Sequence, residues 1–445
     1  MRYGGEPLRA IVRFAGLLVA LILLVPQTAS GATFSVEVAV PMPPEFISAF
    51  GIDLAVSSGE VRIMWSGQLQ SSFGFDWAYA VSHTGGANFT AFRSPFPNAM
   101  SFFGENRVLA FPDRTFAYLW NEQGGTLRIV VERPGGSFAG PFAPLSGTPI
   151  GSDFDALAVG SDLFITWSDT STGMGELRIG RFSGPYFQLT SWQTIDNDPA
   201  TVKVEPRIAT SVNETLVVWR RSNPNGSSIM FSHGRLGDPW PPPVSPSGGG
   251  GPSEFHPHLA VHANGTALVA FDDFSGTGFS VTGAFGVPPY ASFSRFNLGA
   301  AVGGLLPTDV DLATDDQGRL LVSWLDGDPQ TQTGGFRVMY ADSDDWATFS
   351  LPLRLDRDPT VASKDGPVLR SRDGRVFVAW GDRRTGIGTP QPYLASGHAH
   401  PAKPPDLAPL FIILGFIAAV AVFAIAFILV RRRRVTQQDI RQAAP

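Results

Sequence analysis

The chain contains no cysteine, which excludes disulfides and thiolate metal sites and leaves its stability to burial alone. Lysine is scarce, with three against 30 arginines, an imbalance that genome composition alone can produce. Charged residues make up only 16% of the sequence. Between residues 33 and 409 there is no long apolar run and no extended amphipathic helical pattern, so helical bundles are excluded there. Neither a G-x-S-x-G sequence nor a phosphate-binding P-loop sequence is present. What is plentiful is turn chemistry and strand-filling bulk: 49 Gly, 37 Pro, 34 Phe and 10 Trp, the composition of an all-β domain.

The two ends are different in kind. Arg2, Arg9 and Arg13 precede the apolar stretch 15–25, and the small residues of 26–32 follow, so residues 1–32 read as a secretory signal peptide. Residues 410–430 carry no charge, enough at about 1.5 Å per residue to cross ~30 Å of hydrocarbon as a transmembrane helix. Arg431 to Arg434 follow directly, which by the positive-inside rule places a basic tail, 431–445, in the cytoplasm. The expectation is a single-pass protein of the cell membrane with its N-terminal side outside: an ectodomain over 33–400, a Pro-rich juxtamembrane linker over 401–409, then the helix. Residues 33–403 carry a net charge of −11, against +2 before them and +3 after, and such an acidic surface argues against nucleic acid as a partner.

Within the ectodomain one phrase returns seven times: an apolar strand, a short turn, and a β-rich run ending in a large aromatic. The copies end at Trp65, Trp120, Trp167, Trp219, Phe271, Trp324 and Trp380. Most follow a Leu-Ala or Ile-Ala pair (Leu54-Ala55, Leu109-Ala110, Leu157-Ala158, Ile208-Ala209, Leu259-Ala260, Leu312-Ala313), with Leu369-Arg370 as a worn seventh. A period of about 50 residues fits one four-stranded blade of a β-propeller. In the first copy the strands fall at 52–56, 61–65, 77–82 and 90–93. After Trp380 only one further strand, 392–396, can be placed. Residues 33–40 form an alternating strand with no blade of its own, so it is expected to supply the missing outer strand and close a seven-bladed ring. The repeated aromatic then packs between blades.

Ser82-His-Thr-Gly-Gly-Ala-Asn-Phe89 and Asp342-Ser-Asp-Asp-Trp-Ala-Thr-Phe349 are degenerate forms of S-x-D-x-G-x-T-W, and Glu132-Arg-Pro-Gly-Gly-Ser-Phe138 is a fainter one. Trp167-Ser-Asp169, Trp324-Leu-Asp326 and Trp380-Gly-Asp382 add a W-x-D turn. These motifs resemble the Asp-box and its companions in the sialidase-like, or BNR-repeat, β-propellers. The resemblance implies the fold, because the Asp-box caps a hairpin, and leaves activity open. Sialidases also carry an arginine triad, a Tyr nucleophile with Glu, an Asp acid/base and an early R-I-P sequence. The nearest string here is Glu205-Pro-Arg-Ile208, so no catalytic role transfers, and Tyr79 and Tyr340 read as packing residues.

His256-Pro-His258 with His262 is a weak metal pattern, since His262 lies beyond the strand. Asp272-Asp273, Asp315-Asp316 and Asp326-Gly-Asp328 could seat Ca²⁺, but turn capping accounts for them, so neither metal nor cofactor is expected. Asn88, Asn213, Asn225 and Asn264 head glycosylation sequons. The residues that open the inner strands are polar and differ from blade to blade: Asp53, Arg107, Asp155, Arg207, His258 and Asp311. Inner strands of propellers begin at the ligand face, so these six are the candidate ligand-binding residues, although strand ends meeting solvent give the same pattern. The sequence therefore reads as a membrane-anchored propeller that binds an extracellular glycan or protein, with a sialidase-like glycoside hydrolase or lyase as the alternative. On intact cells, external protease is expected to digest 33–400 and to spare an epitope placed in 431–445 until the membrane is permeabilised; the opposite pattern would reverse the topology.

Overall fold

The structure is a computed structural model describing residues 31–400, except 73, 97–100, 123–124, 146–147, 174, 213, 249–252, 275–278, 305–306, 328–334, 359–361 and 385–389. Nearly all of the signal peptide, and the linker, transmembrane and tail segments read from the sequence, lie outside the described residues. Among the described residues, no helix is long and apolar enough to cross a membrane.

Seven antiparallel sheets follow one another along the chain. Blade 1 is formed by Phe50–Ser57, Glu60–Gln68, Phe75–Ser82 and Thr90–Arg93, which contain the four strands read from the sequence. The inner strands of the next five blades are Ser101–Ala110, Ile150–Val159, Val202–Thr210, Glu254–Val261 and Pro307–Thr314. Blade 7 has three strands of its own, Lys364–Arg372, Arg375–Asp382 and Gln391–His398. The closing strand comes from the N-terminal side as expected. Thr33 and Phe34 pair with His398 and Gly397, and Val38 and Ala39 with Leu394 and Tyr393. Between those two short ladders Ser35 donates its N–H to the Ser396 carbonyl at 2.8 Å, so the edge of Gln391–His398 is covered along its length.

Blade 4 departs from the expected plan. It has three named strands, Val202–Thr210, Thr215–Asn223 and Gly226–Gly234, and its outer strand is reduced to one bridge between Phe231 and Val244. The reason is the run Pro239-Trp-Pro-Pro-Pro243, whose prolines have no N–H to give to a ladder.

The seven repeated aromatics are at most 1% exposed and lie in the clusters that join adjacent blades. Trp167, for example, lies in a cluster that takes Leu119 and Ile129 from blade 2 and Ile165 from blade 3. Tyr340 is also a packing residue, its ring 4.9 Å from that of Phe34 on the closing strand. Truncation of one such Trp to Ala is expected to cost about 3–5 kcal/mol. Deletion of residues 33–40 should have a different signature: a free edge on Gln391–His398, read as a lowered Tm together with aggregation in light scattering, where a merely local loss would leave a monomer.

Candidate functional site

All six inner-strand residues singled out in the sequence line one central cavity of about 370 Å³. Strand register makes them equivalent: each pairs with the residue just before the blade's repeated aromatic, as in Asp53 with Met64, Arg107 with Leu119 and Asp311 with Ser323. The seventh equivalent is Val368, paired with Ala379. Blade 7 instead contributes Arg370, two residues further along its inner strand.

The carboxylates of this ring serve two neighbours at once. Asp53 Oδ2 accepts the N–H of Val108 at 2.8 Å, Asp155 Oδ2 that of Ile208 at 2.8 Å, and Asp311 Oδ2 that of Leu369 at 2.7 Å, each on the next blade's inner strand. The other oxygens face basic side chains. Arg370 Nη2 lies 2.7 Å from Asp53 Oδ1, Arg107 Nε 2.6 Å from Asp155 Oδ1, and His258 Nδ1 3.0 Å from Asp311 Oδ1.

A second tier comes from residues that the sequence reading missed. In every inner strand the register with the second strand slips just before the ring position, which is a β-bulge. Two residues before each ring position lie Gly51, Glu105, Asp153, Glu205, His256, Asp309 and Gly366. Gly51, Glu205, His256 and Asp309 have φ of 55°, 53°, 48° and 47°, a conformation that strains the three residues other than glycine. The bulge carries some of these side chains into the same cavity, where Glu105, His256 and Asp309 join the lining. Glu105 bridges two ring arginines, Arg107 at 2.6 Å and Arg207 at 3.0 Å. His256 Nδ1 is 3.0 Å from Asp272 Oδ2 and 3.6 Å from Asp309 Oδ1. His262, by contrast, stacks edge-on against Trp346 and takes no part.

The electrostatics divide the cavity. Burial alone would raise Glu105, but the charges of Arg107 and Arg207 outweigh it and hold the carboxyl at about 2. Burial likewise opposes Asp311, which its hydrogen bond with His258 and the charge of Arg370 bring to about 2. At the lip the shifts run upward. Burial and then the negative charge of Asp272 raise Asp309, and the hydrogen bond to Asp272 raises His256. Asp53 is also raised, because burial outweighs Arg370 and Arg107. His256, Asp272 and Asp309 each offer one donor atom, all within 4.8 Å of one another, a grouping with the N,O,O chemistry of a divalent-cation site. The His256–Asp272 hydrogen bond satisfies it without an ion. Of the acidic pairs considered for Ca²⁺, Asp315 caps its own turn through the N–H groups of Gln317 and Arg319 and binds the Arg319 side chain, and Asp273 meets Arg295 at 3.0 Å.

Two of the three hairpins read as Asp-boxes are capped by their own side chains, while in the third Glu132 instead binds Arg62 and Tyr118. Ser82 Oγ accepts the N–H of Gly86 at 2.9 Å, and Thr84 Oγ1, standing where the motif has Asp, accepts that of Asn88 at 3.0 Å. In blade 6 Asp345 Oδ1 accepts from Ala347 and Thr348, one residue along from the motif's own alignment, and Trp346 holds the left-handed place of the glycine at φ 62°. In fold, the chain resembles the sialidase-like β-propellers. No family model and no curated protein matches its sequence. Among solved structures it is similar to the polysaccharide lyase Uly1, with a TM-score of 0.55 and 10% identity over 84% of this chain and 95% of that one. A Penicillium chrysogenum α-L-arabinanase complexed with arabinobiose gives 0.47 and 13% over 82% and 98%. A Trypanosoma rangeli sialidase in complex with the inhibitor DANA gives 0.43 and 9% over 82% and 59%. At such identities the likeness is one of architecture.

Three arginines, a glutamate and several aspartates thus converge at the centre, but no tyrosine lines this cavity, so the sialidase constellation is incomplete among the described residues. Glu105 and Asp311 contribute to the acid limb of stability. Their folded values lie below the ordinary carboxylate value of about 4, so their contribution is complete above that pH and is lost as pH falls toward 2. Glu105→Gln and Asp311→Asn should therefore flatten the decline of unfolding free energy between about pH 4 and pH 2, measured by urea titration. An unchanged slope would show these carboxylates to be unpaired in solution.

Proposed function

We propose that the protein is a glycan-cleaving enzyme, a hydrolase or a lyase, working at the central cavity and displayed outside the cell. The observation that carries this reading is the lip formed by His256 and Asp309. These are two groups 3.6 Å apart, both with raised proton affinity, half-exposed beside a buried ring of arginines and carboxylates. A carboxyl kept protonated to higher pH by burial and a like-charged neighbour is suited to general acid work on a glycosidic oxygen. An imidazole within reach is suited to taking or relaying the proton. Beneath them Arg207 and Arg370 offer guanidinium groups to an acidic sugar. The fold shared with Uly1 supports the same reading.

Binding without turnover remains the second reading, and one observation favours it. Each ring arginine is already matched to a carboxylate of the cavity: Arg107 and Arg207 to Glu105, and Arg370 to Asp53. A ligand anion must compete with those partners.

The test is to incubate the purified protein with uronate-containing and neutral polysaccharides and to follow two signals. New reducing ends with ultraviolet absorbance from unsaturated uronate identify a lyase, and reducing ends without it identify a hydrolase. His256→Ala and Asp309→Asn are each expected to lower kcat roughly 100-fold or more while the thermal unfolding profile is retained. Saturable binding with neither signal establishes the binding reading in its place.

A further inference from the structure

At the end of the blades away from the mouth, a second cavity of about 490 Å³ opens between blades 1 and 2. Its floor breaks the pattern of the repeat. Arg62 lies three residues before the repeated aromatic, where the other six blades carry Ala117, Phe164, Leu216, Leu268, Leu321 and Phe377, all apolar. Glu132 on the third strand of blade 2 is equivalent by register to Ser82, Phe182, Gly234, Gly286, Ser343 and Gly397, none of them charged. These two departures meet. Arg62 Nε and Nη2 bind the Glu132 carboxylate at 3.1 and 3.0 Å, and the Tyr118 hydroxyl donates to the same group at 2.6 Å.

Burying an ion pair where the six sibling interfaces carry no charge at these positions gains little stability. The Arg62 side chain is 5% exposed; Glu60 lies 3.3 Å from its Nη2 as a second carboxylate, and its Nη1 is buried without a hydrogen-bond partner. A buried donor left so carries a desolvation penalty, which a partner reaching it from the cavity would recover. The walls suit a sugar ring. Tyr79 stacks on Phe92 at 5.2 Å and meets Phe138 edge-on at 5.6 Å, and Phe92 is 41% exposed. Exposed Arg114 and Arg133 add positive charge at the rim.

We infer that this inter-blade cavity is a second ligand site, for a uronic acid residue of a glycan, separate from the central mouth and independent of what the mouth does. The apolar face of the pyranose lies on the Phe92 and Phe138 rings, with Tyr79 backing Phe92 from beneath, and the carboxylate and hydroxyls face Arg62 and the rim arginines. The site would hold a glycan chain on one face of the propeller while the other face works.

Because the chain has no cysteine, Ser137→Cys in the cavity's hairpin can carry a single environment-sensitive fluorophore that reports on this cavity alone. Titrated with methyl β-glucuronide, the labelled full-length protein should show a saturable emission change. Methyl β-glucoside, which lacks only the carboxylate, should bind roughly tenfold or more weakly. The response should be lost in Phe92→Ala, which alters a half-exposed ring, and in the double variant Arg62→Leu with Glu132→Ser, which installs residue types the sibling blades already use. It should persist in Arg207→Ala at the mouth. No saturable change, equal response to the glucoside, survival in both cavity variants, or loss in Arg207→Ala would each overturn the inference.

Discussion

Seven inner strands brought together around one axis leave little room for water between them, and their polar groups must find partners on the neighbouring blade. The carboxylates of Asp53, Asp155 and Asp311 answer that demand by accepting the N–H of Val108, Ile208 and Leu369 across three blade junctions. The same three groups then present their second oxygens to Arg370, Arg107 and His258. The wall of the cavity and the fastening of the ring are thus one set of atoms. A ligand that draws an arginine away from its carboxylate acts on the packing of two blades, so recognition at the centre is coupled to the stiffness of the whole ring.

Much of this was legible in the sequence because a propeller repeats its demands. The period gave the blade count, the unpaired alternation of 33–40 gave the closure, and the ring positions stood out as polar residues in an apolar strand. The bulge tier did not stand out. Side chains two apart on a regular strand share a face, and the recurring Glu105-x-Arg107, Glu205-x-Arg207, His256-x-His258 and Asp309-x-Asp311 spacing was the available signal. It was hidden because the lip depends on backbone bent to positive φ, which propensity does not announce. Arg370 was visible but read as decay of a Leu-Ala pair. In a repeat protein the worn copy is where a position has been released from packing. The lost outer strand of blade 4 was written in Pro239 to Pro243, a run that cannot donate to a ladder.

The Arg62, Tyr118 and Glu132 cluster shows a different limit. Each lies within a strand whose apolar periodicity is intact, and Arg62 and Glu132 are 70 positions apart in sequence. No local window contains both. Only once the register is known does it become plain that two exceptions, one per blade, face each other across a single junction. Departures from a repeat carry information in proportion to their meeting in space, a test that applies equally to the mouth.

The two lysines among the described residues have a consequence of another kind. Lys203 and Lys364 occupy the same place in blades 4 and 7 and are almost completely buried. Lys203 donates to the carbonyls of Gly175, Asp198 and Thr201, and Lys364 sits 3.1 and 3.3 Å from Asp356 and Asp358. Every cationic patch on the folded propeller is therefore made of guanidinium or imidazole. Acylation, glycation or conjugation at a side-chain amine finds no target on the described residues until a blade has opened, so a lysine mark within this region records a molecule that has been unfolded.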